Sequence, residues 1–272
     1  MGSSYDFLHC APDSPESLSQ VHDVSYITVG FPQHRWTNIV SKIPSNRDPL
    51  SPKAIATNDA ELLTAISNRV KRTLESQSAG HGWDHIDRVH QLAGKIQSAE
   101  GGNSKVISLA AILHDVGDAK FNQGVELSGK IASQILNEFD VDETETSHIV
   151  QIIENISFRK RAEAEPLTLE GQIVQDADRI DALGAIGIVR TIEYGQFKGQ
   201  PFYAIDSPDA PSGVQHFYDK LFRIPSLLNT KTAKKHAEVR VLFMQAFLRQ
   251  YFYEINVEVP DWVEQGAEPF MS

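Results

Sequence analysis

The chain has 272 residues, a length that accommodates one domain with extensions and a well-buried core. Its hydrophobic fraction of 41% and charged fraction of 22% are those of an ordinary soluble globular protein, and no apolar run is long enough to span a bilayer. A net charge of −11, with Lys234–Lys235 as the only adjacent lysines, argues against a broad nucleic-acid surface. If such a protein handles a phosphorylated substrate, local positive charge must come from a metal or from a few well-placed basic side chains.

Residues 1–57 are rich in Ser, Pro, Asn and Asp, and Pro12, Pro15, Pro32, Pro44, Pro49 and Pro52 punctuate them. They read as an irregular, partly disordered extension, with only 26–40 suited to short ordered structure. Asp6, Asp13, Glu16 and Asp23 occupy the region where a targeting segment would carry basic and apolar residues. The start therefore reads as neither a secretory signal nor a transit peptide. Cys10 is the sole cysteine, so no intrachain disulfide forms and a reducing compartment is favoured. A cytoplasmic location is expected, with no membrane partner.

From residue 58 the periodicity turns helical, with Asn58 or Asp59 as N-cap. Leu62, Ile66, Val70 and Leu74 recur every four residues, and Ile86, Val89, Ala93 and Ile96 form the next apolar face. The pair Gly101–Gly102 stops that second helix. Three more faces follow, on Val106, Leu109, Ala110 and Leu113, on Ile131, Ile135, Leu136 and Phe139, and on Ile149, Ile152, Ile153 and Ile156. A helix is expected from about Gly171 through Ile180, and Gly184 and Gly187 allow a close approach before Ile188. The Gly/Pro/Asp-rich stretch 199–213 reads as a functional loop. Two long helices, about 216–228 and 230–253, complete an all-α bundle over 58–256, followed by a tail, 257–272.

Four potential metal ligands lie in three separated helical segments: His85 in HGWDHIDRV, His114 and Asp115 in AAILHDVGD, and Asp178 in QDADRIDALG. An apolar helix that suddenly presents His114, Asp115 and then Gly117 is an oddity, because an unpaired buried carboxylate is costly and a cation would satisfy both groups. The mixed nitrogen and oxygen set suits Mn²⁺, Fe²⁺, Co²⁺ or Zn²⁺ better than an all-oxygen Mg²⁺ site. No nucleophile elbow, P-loop, dinucleotide fingerprint or Cys-x-x-Cys pair competes.

The order His, His-Asp, Asp resembles the HD superfamily of metal-dependent phosphohydrolases. The stretches HIDRV, AAILHDVGDAKF, QDADRIDALGAIGIVRTIEYG and FYDKLFRIPSLLNTKTAKKHAEVRVLFMQAFL are similar to the small bacterial HD-domain nucleoside triphosphate pyrophosphohydrolases. The likeness runs over roughly 61–256. It implies an HD-domain helical bundle and a divalent metal, Mn²⁺ first, with Mg²⁺, Co²⁺, Fe²⁺, Zn²⁺ or Ni²⁺ as substitutes. It also implies attack of a metal-bound water on a (deoxy)nucleoside triphosphate, giving the monophosphate and pyrophosphate. Alternatives on the same site are a nucleoside 5′-monophosphate phosphatase and a non-catalytic nucleotide sensor. A homodimer on the C-terminal helices is a further expectation.

By motif match Asp178 fills the fourth ligand position, with Asp181 as runner-up. Many relatives have His-Asp where this chain has His81–Gly82. A carboxylate partner for His85 is therefore either missing or supplied by Asp84. The resemblance gives Asp118 the role of orienting or deprotonating the attacking water; otherwise it serves turn chemistry beside Gly117. Lys120, Arg88 and Arg179 are candidates for gripping phosphate oxygens, Arg88 alternatively pairing with Asp84. Lys160 could add a basic contact from a polar loop. Lys220 and Arg240 either reach the phosphates or bridge helices.

Overall fold

The computed structural model describes residues 58–77, 82–117, 125–156, 165–207 and 210–265. The chain divides into two units, Met1–Ser51 and Pro52–Ser272, and every described residue belongs to the second. The expectation for 1–57 lies outside the described residues, apart from the boundary at Asn58.

The apolar faces read from the sequence become helices that bury them. Helix α1 (Asp59–Gln77) begins where the Asn58 side chain accepts a hydrogen bond from Glu61 N at 3.0 Å. It buries Leu62, Ile66, Val70 and Leu74. Helix α2 (Gly82–Glu100) buries Ile86, Val89, Leu92, Ala93 and Ile96, and ends at Gly101 and Gly102, both at positive φ. Helix α3 (Ser104–Leu113), capped by Asn103, is apolar from Val106 onward except for Ser108, and buries Val106, Ile107, Leu109, Ala110, Ala111, Ile112 and Leu113. Helices α4 (Ser128–Glu138) and α5 (Glu143–Asn155) pack on each other, and α5 also packs on α3. The centre of the bundle is α2, held between α3 and α6 (Leu169–Asp181). The described residues contain no strand.

The C-terminal part departs from the sequence expectation in two places. Helix α7 (Gly184–Lys198) starts earlier than expected and includes both glycines. A Cβ at Gly187 would lie 2.2 Å from the Ala182 carbonyl oxygen, so only glycine lets α7 turn this tightly off α6. The single helix expected over 216–228 is instead a short α8 (Gly213–Asp219) followed by a 3-10 helix, Leu221–Leu227. Pro225 is the cause: it lacks an N–H and disfavours the α conformation at Ile224, so the chain tightens rather than continuing. The last long helix, α9 (Lys231–Glu254), runs as expected from its Thr230 cap. The tail carries one more element, α10 (Asp261–Gln265), whose Val263 is fully buried.

Asp176 fastens α6 to the start of α9. It is completely buried, and its carboxylate accepts from Asn229 N and Nδ2 and from Thr230 N and Oγ1, at 2.8 to 3.1 Å. Burial pushes its carboxyl pKa up, against those hydrogen bonds.

Candidate metal centre

The elements meet at one point near the middle of the bundle. Helix α2 brings His85 from its first turn. The buried α3 delivers His114 as its C-terminal cap residue and Asp115 immediately after it. Gly117 lets the chain pass Leu127 and Ser128, whose backbone atoms would sit 2.6 and 2.7 Å from a Cβ there. Leu127 N donates to Gly117 O at 2.9 Å and closes that approach. Helix α6 contributes Asp178 and, one turn on, Asp181.

His85 Nε2 and His114 Nε2 are 3.2 Å apart. Asp178 Oδ1 lies 3.4 Å from His85 Nε2 and 3.8 Å from His114 Nε2, while the Asp115 oxygens lie 3.8 and 3.7 Å from the same atoms. His85, His114 and Asp115 satisfy on their own the spacing of a shared cation site. Donors this far apart match ligands that share one ion at about 2.0–2.2 Å.

The hydrogen bonds behind the rings fix which nitrogens face inward. His114 Nδ1 lies 2.8 Å from the Ala111 carbonyl oxygen, an atom that only accepts, so Nδ1 carries the hydrogen. His85 Nδ1 lies 2.7 Å from Asp181 Oδ2. Asp181 is 3% exposed, and burial opposes its charge. Its hydrogen bonds with His85 and Arg88 prevail and hold it well below the usual carboxylate range. Its ionised oxygen therefore accepts from His85 Nδ1. Both Nε2 lone pairs are then aimed at each other across 3.2 Å, an arrangement that needs a proton or a cation between them. Burial lowers the His85 pKa, but Asp178, Asp181 and Asp115 outweigh it and raise the value to about 9. Burial likewise works against ionising Asp178, yet His85 and His114 hold its carboxyl below the ordinary value. The residues present thus fit a divalent cation.

Asp181 is the site residue whose place the sequence least disclosed. It is not in the inner cluster but behind His85, where it also accepts from Arg88 Nε at 2.7 Å, Arg88 Nη2 at 2.9 Å and Arg190 Nη1 at 3.0 Å. The carboxylate partner sought at Asp84 is thus Asp181, 96 residues from His85 in sequence. Asp84 itself is exposed. Arg88, offered as a phosphate contact with Asp84 as the alternative, is held by Asp181 through two nitrogens. Arg179 Nη1 donates to the Leu227 carbonyl, and Arg240 Nη1 donates to Ile180 O at 2.6 Å, so both link α6 to the C-terminal elements. Lys220 ends α8 and lines a cavity against α7. Arg190, which the sequence did not single out, lines the same cavity. Asp118, Lys120, Lys160 and His81 lie outside the described residues.

Comparison with known proteins places the class. The family model for the HD domain matches residues 82–183, the span that carries His85, His114, Asp115 and Asp178. The Bacillus subtilis protein YpgQ, itself uncharacterised, is 39% identical over 187 residues, covering 68% of this chain and 89% of YpgQ. An HD-superfamily hydrolase from Bacillus thuringiensis aligns at 41% identity with a TM-score of 0.65, covering 74% of this chain and all of that one. A structure of B. subtilis YpgQ in complex with ADP aligns at 33% identity with a TM-score of 0.61, over 72% of this chain and 96% of that one.

The chain belongs to the HD family. Its hydrolase relatives and its His/Asp cluster together support a metal-dependent hydrolase. No helix among the described residues is long and apolar enough to cross a membrane.

Proposed function

We propose that this protein hydrolyses (deoxy)nucleoside triphosphates to the monophosphate and pyrophosphate with a divalent cation held by His85, His114, Asp115 and Asp178. The observation that carries the reading is the pair of imidazole Nε2 atoms 3.2 Å apart, each turned inward by a bond at Nδ1, with two carboxylates beside them. The cation, when bound, supplies Lewis acidity that activates water and offsets phosphate charge. The sequence likeness puts Mn²⁺ first, and a set of two imidazoles and two carboxylates also admits Co²⁺, Fe²⁺ or Zn²⁺, with Ni²⁺ or Mg²⁺ as further substitutes.

The chain's own residues do the rest. His114 is 6% exposed and cannot swing, because its Nδ1 is tied to the helix that carries it. His85 is kept in register by Asp181. Asp178, about a third exposed, is the most accessible of the four candidate ligands. Asp118 and Lys120 are proposed to orient the attacking water and to meet phosphate oxygens, and Arg88, Arg179, Lys160 and Lys220 remain candidates for contacts further along the substrate. The choice of a nucleotide draws support from the YpgQ complex with ADP. The cleavage between the first and second phosphates draws support from the sequence likeness.

The test pairs metal analysis with a product assay. Purified protein should carry one equivalent of transition metal, and Asp115→Ala should lose it. With Mn²⁺ and a nucleotide panel, the wild type should release pyrophosphate from triphosphates. Orthophosphate from monophosphates would select the nucleotidase reading, and tight binding without turnover in any metal would select the sensor.

A further inference from the structure

Between α7, the stretch up to Gly213 and α8 lies a cavity of about 580 Å³, within the size range of small-molecule sites. Arg190 and Lys220 contribute to its wall, with Gln215, His216 and Asp219 between them. It adjoins the cluster through one side chain. Arg190 donates through Nη1 to Asp181 Oδ2, the oxygen that also holds His85.

Arg190 has the features of a prepared anion contact. A buried carboxylate fixes one corner of its fork, so little side-chain freedom is lost on binding. Its Nε and Nη2 have no partner among the described residues, and the side chain is 48% exposed. Asp181 is met by both Arg88 and Arg190, so Arg190 is not its sole counter-charge. Lys220 lines the same wall, as does Asp219, which accepts from Gln215 Nε2 at 3.1 Å. His216 is pushed below its ordinary pKa by burial and by Lys220, so it adds hydrogen-bonding capacity rather than charge.

We infer that this cavity seats the anionic phosphate chain of the substrate, with Arg190 and Lys220 as its contacts. This deepens the phosphohydrolase reading and rests on it for the identity of the ligand. Arg190 then has two tasks: it braces Asp181 on one side and receives phosphate oxygens on the other.

The test uses the full-length protein stripped of metal, titrated calorimetrically with inorganic pyrophosphate, so that the inner cluster contributes no cation. Wild type should bind saturably. Arg190→Lys, which can keep a donor for Asp181 but loses the second edge of the fork, should bind roughly tenfold or more weakly, as loss of a charge-assisted hydrogen bond implies. Lys220→Met should weaken binding by a similar factor, with an unchanged thermal transition as the check on folding. Absence of pyrophosphate binding by wild type, or wild-type affinity in folded Arg190→Lys or Lys220→Met, overturns the assignment. Metal content and turnover test the parent reading instead, so the two can fail separately.

Discussion

At the scale of single residues, the decisive contrast is between Asp178 and Asp181. They stand one helical turn apart on α6, yet one faces the imidazole pair and the other stands behind His85. Asp181→Ala should leave the candidate ligands in place but free the His85 ring. Metal affinity should fall about 10- to 100-fold, the usual loss when a ligand's orienting partner is removed. A Mn²⁺ titration of wild type and variant checks this, and unchanged affinity would remove Asp181 from any positioning role. His114 and Asp115 were legible because a buried helix ending in His-Asp is a local anomaly, and His85 and Asp178 followed from the order of the family's motifs. Asp181 was marked only as the runner-up ligand and Arg190 not at all, because a second carboxylate in a helix and an arginine among apolar residues are ordinary until the fold brings them together. The spacing of three between Asp178 and Asp181 was the only available hint that both serve one site.

At the scale of elements, α6 is anchored at its middle and at its C-terminal end. Asp176 holds the Asn229–Thr230 junction, and Asp181 holds α2 and α7. Asp176→Ala would leave the N–H groups of Asn229 and of the buried Thr230 without their acceptor and should cost ~3 kcal/mol, read from urea unfolding. A loss below about 1 kcal/mol would show that the latch is dispensable. A gentler effect belongs to α5, whose N-cap Asp142 accepts from Thr144 N at 2.9 Å. The Thr144 side chain and the backbone N–H of Glu145 and Thr144 lower the Asp142 carboxyl pKa. A depressed folded-state value means the cap stabilises above the unfolded carboxyl pKa of about 3.9 and fades as pH falls through the folded value. The stability gap between wild type and Asp142→Ala should therefore be full near neutrality and close in acid. Helix positions were readable because their apolar period is regular. The break between α8 and the 3-10 helix was not, although Pro225 was visible, because the apolar run through it looked continuous.

At the scale of the whole molecule, the core among the described residues is built largely from aliphatic side chains of α1 to α10 and the 3-10 helix, with the polar cluster set into it. A cation that binds only the folded arrangement must stabilise it, by about 2.7 kcal/mol at a free concentration one hundred times the dissociation constant. Adding Mn²⁺ to stripped protein should raise the thermal midpoint, and a chelator should reverse the shift. Asp115→Ala should show neither response. The class of fold was open to sequence reasoning because length, helical periodicity and four separated motifs agreed. The cavity that Arg190 and Lys220 line was not, since α7 and α8 meet only in the fold.

One consequence follows from a carboxylate that serves three donors at once. Arg88, Arg190 and His85 all depend on Asp181, so none can be altered without changing what the others experience. Removing one guanidinium strengthens the hold of the other, while removing the acid sets two like charges against each other with nothing between them. Paired changes in this group should therefore deviate from the sum of single ones by roughly 1 kcal/mol or more. A thermodynamic cycle on Arg88→Met and Asp181→Asn would find the double variant less impaired than its parts imply.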